Sequence, residues 1–120
     1  MDYTPEQFNR FLQLFQGRAD VYARRWTNRD GRSGYSPARR GETYIPMTPT
    51  VLSWHLNGST TIGVYPLRSD DSCRFLAVDF DGPGHEQDAG AFVHACSDTG
   101  IPAYIERSRS GNGAHVWIFF

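Results

Sequence analysis

The stretch that decides the fold is Phe75-Leu76-Ala77-Val78-Asp79-Phe80-Asp81, an apolar run that ends in two carboxylates one residue apart. Four apolar residues in succession predict a strand covered on both faces. Cys73 and Arg74 extend the run at its start, and Gly82-Pro83-Gly84 stops it. Side chains alternate along a strand, so Asp79 and Asp81 share a face while Phe80 turns to the other. Two anions so close repel, and each raises the other's proton affinity. A divalent cation removes that conflict. Hard carboxylate oxygens suit Mg²⁺ or Mn²⁺, which keep waters and take substrate phosphates as further ligands. The plainer reading has Asp81 open the Gly-Pro-Gly turn and Asp79 cap a neighbouring group.

Downstream, Glu86 to Thr99 reads as a helix, with Ala89, Phe92, Val93 and Cys96 on one stripe and Gly100 at its end. Pro102 to Arg107 is a predicted strand, Ser108 to Gly113 a tight loop, and Ala114 to Phe120 a last strand. The order from residue 73 is therefore strand, helix, strand, strand. The loop is the second chemical feature. Gly111 and Gly113 allow backbone N–H groups to approach an anion closely. Arg107, Ser108, Arg109, Ser110 and Asn112 place donors in the same turn, and His115 opens the next strand. A triphosphate suits this constellation; an ordinary glycine hairpin with exposed arginines is the alternative.

Upstream, Thr61 to Leu67 is a strand candidate that a polar turn at 68–72 would join as a hairpin to the 73–81 strand. Thr48-Pro49 starts a short helix through Val51, Leu52, Trp54 and His55, ending at Asn57-Gly58. Thr4-Pro5-Glu6-Gln7 starts another, with a capping box and an apolar stripe at Phe8, Phe11, Leu12 and Phe15. Residues 18–46 show weak periodicity and are expected to be irregular. Seven arginines between Arg18 and Arg40 stand against Asp20 and Asp30, with Glu42 just beyond, together with Tyr22, Trp26, Tyr35 and Tyr44. Arginine meets phosphate while aromatic rings stack on bases, so Arg24, Arg25 and Trp26 are candidate nucleic-acid contacts. The alternative makes Trp26 and Tyr35 core anchors.

Composition bounds these readings. The chain has 120 residues, a net charge of −1 and 39% apolar residues, ordinary for a globular domain. All twelve basic residues are arginine. No apolar run approaches the ~20 residues of a membrane span, so no membrane partner is expected, and MDYTPEQF is not a signal peptide. Cys73 and Cys96 offer neither zinc spacing nor a disulfide framework, which points to reduced thiols and a cytoplasmic location. His55, His85 and His94 are weaker candidates than His115. The chain stops inside the apolar Trp117-Ile118-Phe119-Phe120 segment, so it is expected to be the N-terminal part of a longer protein.

The strand ending in Asp79-Phe80-Asp81, followed by Ser110-Gly111-Asn112-Gly113-Ala114-His115 leading into Val116-Trp117-Ile118, resembles the first two motifs of the archaeo-eukaryotic primase superfamily. Four further segments are similar to the primase domain of TOTE conflict systems: 14–18, 20–26, Ser33-Gly34-Tyr35-Ser36-Pro37 and Ile62-Gly63-Val64-Tyr65-Pro66-Leu67. The resemblance implies an α+β fold: an RRM-like β-α-β-β catalytic sheet over 61–120, after a helical, arginine-rich α/β region over 1–60, all within one domain. It implies template-directed nucleotidyl transfer, as by a DNA or RNA primase-polymerase in replication. Asp79 and Asp81 would hold two Mg²⁺ or Mn²⁺ ions, and His115 and the 107–113 loop would hold an NTP or dNTP. The template would be single-stranded DNA or RNA, with helicase and nuclease partners or fused domains. Two departures matter. Arg39 to Tyr44 replaces a cysteine cluster that relatives often carry, so no zinc is expected. The third motif, with a further metal-binding Asp, belongs downstream of Phe120, so the isolated chain is a candidate for inactivity. Two other readings compete: a nucleotide- or single-strand-binding fragment without turnover, and a glycosyltransferase whose Asp-x-Asp holds Mn²⁺ against a sugar nucleotide.

Overall fold

A computed structural model describes residues 3–120. The fold is α+β, and the chain divides into two compact units, residues 1–74 and 75–120. In the first unit, helix α1 (Pro5–Leu14) begins at Thr4. The Thr4 hydroxyl accepts from the Gln7 amide at 3.1 Å, and the Gln7 side chain accepts from the Thr4 amide at 2.9 Å. This is the capping box read from the sequence. The stripe of Phe8, Phe11 and Leu12 is half-buried.

The segment expected to be irregular instead forms four strands: β1 (Ala23–Thr27), β2 (Ser33–Pro37), β3 (Arg39–Arg40) and β4 (Thr43–Tyr44). β1 and β2 pair antiparallel, and β3 pairs with β4. Asn28 shapes the β1–β2 turn, its side-chain oxygen accepting from the amides of Asp30 (3.0 Å) and Arg32 (2.9 Å). These strands lack apolar alternation because most of their side chains are exposed. The turn chemistry and the backbone ladder define them instead.

Helix α2 (Pro49–Leu56) starts where Thr48 caps the Val51 amide at 3.3 Å, and it buries Val51 and Leu52. The 61–67 segment does not form the expected hairpin with the 75–81 strand. Only β5 (Ile62–Gly63) is a strand, and it pairs with β1 through Ala23↔Gly63 and Arg24↔Ile62, giving the sheet order β2-β1-β5. Pro66 has no N–H to offer a longer ladder. β5 lies within the first compact unit, which runs to Arg74. Tyr22, Ala38, Val51 and Ile62 form its core, with Ile45 and Met47 packed against them. Trp26 and Tyr35 are not core anchors, being 43% and 55% exposed.

The second unit is β6 (Phe75–Asp81), α3 (His85–Asp98), β7 (Tyr104–Arg107) and β8 (Gly113–Phe119), in the order β-α-β-β. The three strands form an antiparallel ladder with β8 in the centre, β6-β8-β7. Alternation sends Val78 and Phe80 of β6 and Ala114 and Val116 of β8 toward α3, where they pack with Ala89, Phe92 and Val93. The Phe80 and Phe92 rings lie 5.7 Å apart. The expectation that β6 is covered on both faces does not hold: Phe75 is its one buried residue, and Leu76 and Ala77 are exposed. Helix α3 covers one face, and the other carries the carboxylates. Cys73 is an exposed thiol and Cys96 a buried one. Among the described residues, no helix is long and apolar enough to cross a membrane.

Candidate functional site

Asp79 and Asp81 close β6 on the face turned away from α3, both exposed. The β6–β8 register sets Asp79 opposite His115 and Asp81 opposite Gly113. On the other side of β8, Glu106 of β7 is also opposite His115. Three polar side chains therefore form one row across the sheet. His115 Nε2 lies 3.6 Å from Asp79 Oδ1, and His115 Nδ1 lies 2.8 Å from Glu106 Oε1. The His115 side chain is 35% exposed, against 64% for Asp79 and 55% for Glu106. The imidazole also meets the Trp117 ring edge-on, at 6.2 Å between centroids.

Gly113 makes room where the acid strand meets the hairpin. A Cβ at this position would lie 2.8 Å from the Phe80 carbonyl oxygen, 2.9 Å from Asp81 Oδ1 and 3.2 Å from Ser108 Oγ. The missing side chain thus lets the Asp81 carboxylate and the Ser108 hydroxyl converge over the same backbone atom.

The 108–112 loop is internally bonded. The Ser108 amide donates to the Gly113 carbonyl at 2.9 Å and the Gly111 amide to the Ser108 carbonyl at 3.0 Å. Gly111 has φ +80°, a conformation that favours glycine. The Asn112 amide donates to Ser110 Oγ, which also lies 3.3 Å from Ser108 Oγ. These bonds occupy the amides of Ser108, Gly111 and Asn112, so the amides outside this network are those of Arg109 and Ser110. Arg107 is opposite Ala114, so alternation places it on the α3 side of the sheet rather than beside His115. Arg109 is exposed in the loop.

The first unit separates the candidate nucleic-acid contacts. Arg24 donates to the Tyr22 hydroxyl at 2.9 Å and lies 5.7 Å over that ring. The Trp26 indole lies over Gly34, where a Cβ would be 2.9 Å from Cζ2. Arg25 is on the opposite face, directly across from Tyr35, and donates to the Thr27 hydroxyl at 3.1 Å. Tyr35 leans over Gly63, whose added Cβ would meet its ring at 3.7 Å. The other histidines serve the fold: His55 Nδ1 accepts from the Ile62 amide at 3.3 Å, His85 Nδ1 lies 2.7 Å from the Gly82 carbonyl, and His94 pairs with Asp98 at 3.4 Å.

Sequence reasoning included Glu106 only as the first residue of the loop feature and Tyr35 only as a ring of the arginine-rich segment or a core anchor, and gave neither a role of its own. The signal for Glu106 was present, because a hairpin closed by Ser108 and Gly113 puts residue 107 opposite 114 and 106 opposite 115.

The family described as the TOTE conflict system archaeo-eukaryotic primase domain matches residues 6–120. The chain belongs to that family. No curated protein matches it. Membership makes this a primase-type domain of the nucleotidyltransferase class, whose members generally use divalent metals. Among the described residues, no group of three or more His, Cys, Asp and Glu side chains is gathered for an ion. The donor set on the primase-family sheet is nevertheless of the right kind: two exposed carboxylates on one face suit a hard cation whose other ligands are water and phosphate.

Proposed function

We propose that this domain carries out template-directed nucleotidyl transfer, adding nucleoside monophosphate units from NTP or dNTP to a strand paired with single-stranded DNA or RNA. The observation that carries the reading is the shared open face on which Asp79 and Asp81 stand with His115 directly opposite Asp79. A 3′-hydroxyl oxygen would attack the α-phosphorus of the triphosphate; the bond to the β-phosphate oxygen breaks and pyrophosphate leaves. Asp79 and Asp81 would hold Mg²⁺ or Mn²⁺, and such ions neutralise the charge gathering on the phosphates. Their carboxylates otherwise repel the polyphosphate, which is why the pair needs a cation between. His115 would donate to a phosphate oxygen, with Ser108, Arg109 and the loop amides of Arg109 and Ser110 as further donors. Catalysis of this kind rests on positioning and charge stabilisation.

Arg25 and Tyr35 are the first unit's best-supported template contacts: a guanidinium for phosphate beside an exposed ring for a base. Action in the cytoplasm beside helicase and nuclease partners belongs to the same reading.

The test is primer extension with Mg²⁺ or Mn²⁺ on a short single-stranded template. Extension by the 120-residue chain, abolished by Asp79→Ala with an unchanged melting midpoint, supports the reading. Retained synthesis in that variant would remove Asp79 from the reaction. Triphosphate binding without extension, both by this chain and by one that carries the third motif, would favour the non-catalytic alternative, and selective binding of sugar nucleotides the glycosyltransferase.

A further inference from the structure

Glu106 has no part in the chemistry described above, yet it makes the shortest contact in the row, 2.8 Å from its Oε1 to His115 Nδ1. An ionised carboxylate only accepts, so the proton of this bond sits on Nδ1. The bond selects one of the two ring flips otherwise open to an imidazole, whose terminal torsion is broad and roughly two-fold. With Nδ1 held toward β7, Nε2 is turned toward β6 and lies 3.6 Å from Asp79 Oδ1. The Trp117 ring edge-on at 6.2 Å adds a second restraint on the imidazole. Both partners of the bond stand on paired strands and not on the loop, so their spacing follows from the sheet register.

We propose that Glu106 is a positioning residue that holds the His115 ring with Nε2 turned toward the phosphates of a bound nucleoside triphosphate, to which Nε2 donates in the ring that carries both protons. The proposal rests on the nucleotidyl-transfer reading of the same site. Glu106 touches neither nucleotide nor reacting atoms; it acts through the histidine. Carboxylates that orient a functional histidine through its second ring nitrogen contribute about 10- to 100-fold where a metal is the ligand, and the lower end applies to a half-exposed pair.

The experiment measures ATP binding in Mg²⁺ by titration calorimetry for the full chain and for Glu106→Ala, Glu106→Gln, His115→Ala and the Glu106→Ala/His115→Ala double variant. Nitrogen-15 spectra of the His115 ring are recorded alongside. Glu106→Ala is expected to weaken ATP about tenfold with an unchanged melting midpoint. Glu106→Gln, whose amide oxygen still accepts from Nδ1, is expected to recover most of that loss. The double variant is expected to bind no worse than His115→Ala, and the ring spectra to show the Nδ1 proton held in the parent chain and exchanging between nitrogens in Glu106→Ala. Parent-like binding by Glu106→Ala, with His115→Ala defective, overturns the positioning role and leaves the nucleotide reading intact. Equal losses for Glu106→Ala in the parent and His115→Ala backgrounds overturn it as well. A parent chain that binds no triphosphate overturns the nucleotide reading and this role with it.

Discussion

The two three-stranded sheets of this chain solve the same problem differently. β6-β8-β7 packs one face on a 14-residue helix, and that face holds Ala114 and Val116 at 5% and 0% exposure. Its other face carries Phe75, Trp117 and Phe119 at one end and the Asp79–His115–Glu106 row toward the hairpin. β2-β1-β5 has a two-residue edge strand, and its β1 and β2 side chains are mostly exposed. Its unit is held by a compact cluster around Tyr22, gathered from four separate segments. One sheet derives its order from a layer; the other is anchored at a single point. A layered sheet can carry three side chains in fixed register, whereas an anchored one offers a surface of rings and guanidinium groups.

The strongest way to break this contrast is Tyr22→Ala. The side chain is 1% exposed in a small cluster, so its removal is expected to cost about 3–5 kcal/mol, read as a fall in the urea midpoint. A loss below about 1 kcal/mol would mean the first unit has another anchor. Val116→Ala comes next. It removes two methyl groups from the layer between the sheet and α3 and is expected to cost about 2 kcal/mol by the same measurement. The cost should fall on the second unit, seen as exposure of its amides in hydrogen exchange while those around Tyr22 stay protected.

Tyr35→Ala sharpens the comparison from the functional side. The ring is more than half exposed, so stability should change by less than about 0.5 kcal/mol. Affinity for a single-stranded oligonucleotide should drop by about 1–3 kcal/mol if one base stacks there, measured by fluorescence anisotropy at fixed salt. An unchanged affinity would take Tyr35 out of the nucleic-acid surface.

The smallest effect is expected at Asp20. Arg18 donates to its carboxylate at 2.6 Å and holds it below the ordinary carboxylate range. A group whose folded value is depressed stabilises above its unfolded value and loses that contribution as pH falls through the folded one. Asp20→Asn should therefore lower the melting midpoint slightly at neutral pH and not at all in strong acid. A difference that persists in acid would assign the effect to something other than the ion pair.

How legible each region was follows from the same contrast. α1, α2 and α3 announced themselves through Thr4 and Thr48 as caps and through the Ala89–Cys96 stripe, because helix ends and buried stripes depend on local chemistry. β6 and β8 were visible as apolar runs, and the shared face of Asp79 and Asp81 followed from alternation alone. β1 to β4 were not visible, since exposed strands need no apolar period. The partner of Ile62 was hidden because pairing with β1 is a long-range choice that no local signal encodes. Arg107 was grouped with His115 by closeness in sequence, but one step along a strand reverses a side chain. Glu106 was given no role of its own although the hairpin that faces it toward His115 had been read correctly.

The register of β8 has a bearing on which length changes the chain can survive. One extra residue among 109–112 only enlarges an exposed bend, whose entropic cost grows slowly with size. The same addition between Val116 and Ile118 would rotate everything beyond it by half a pleat. Ile118, now 8% exposed, would swing out to solvent, and Phe119 would be pushed inward. Insertion mutants a few residues apart should thus separate into well-folded and unfolded classes, with the border at the first rung of the central strand.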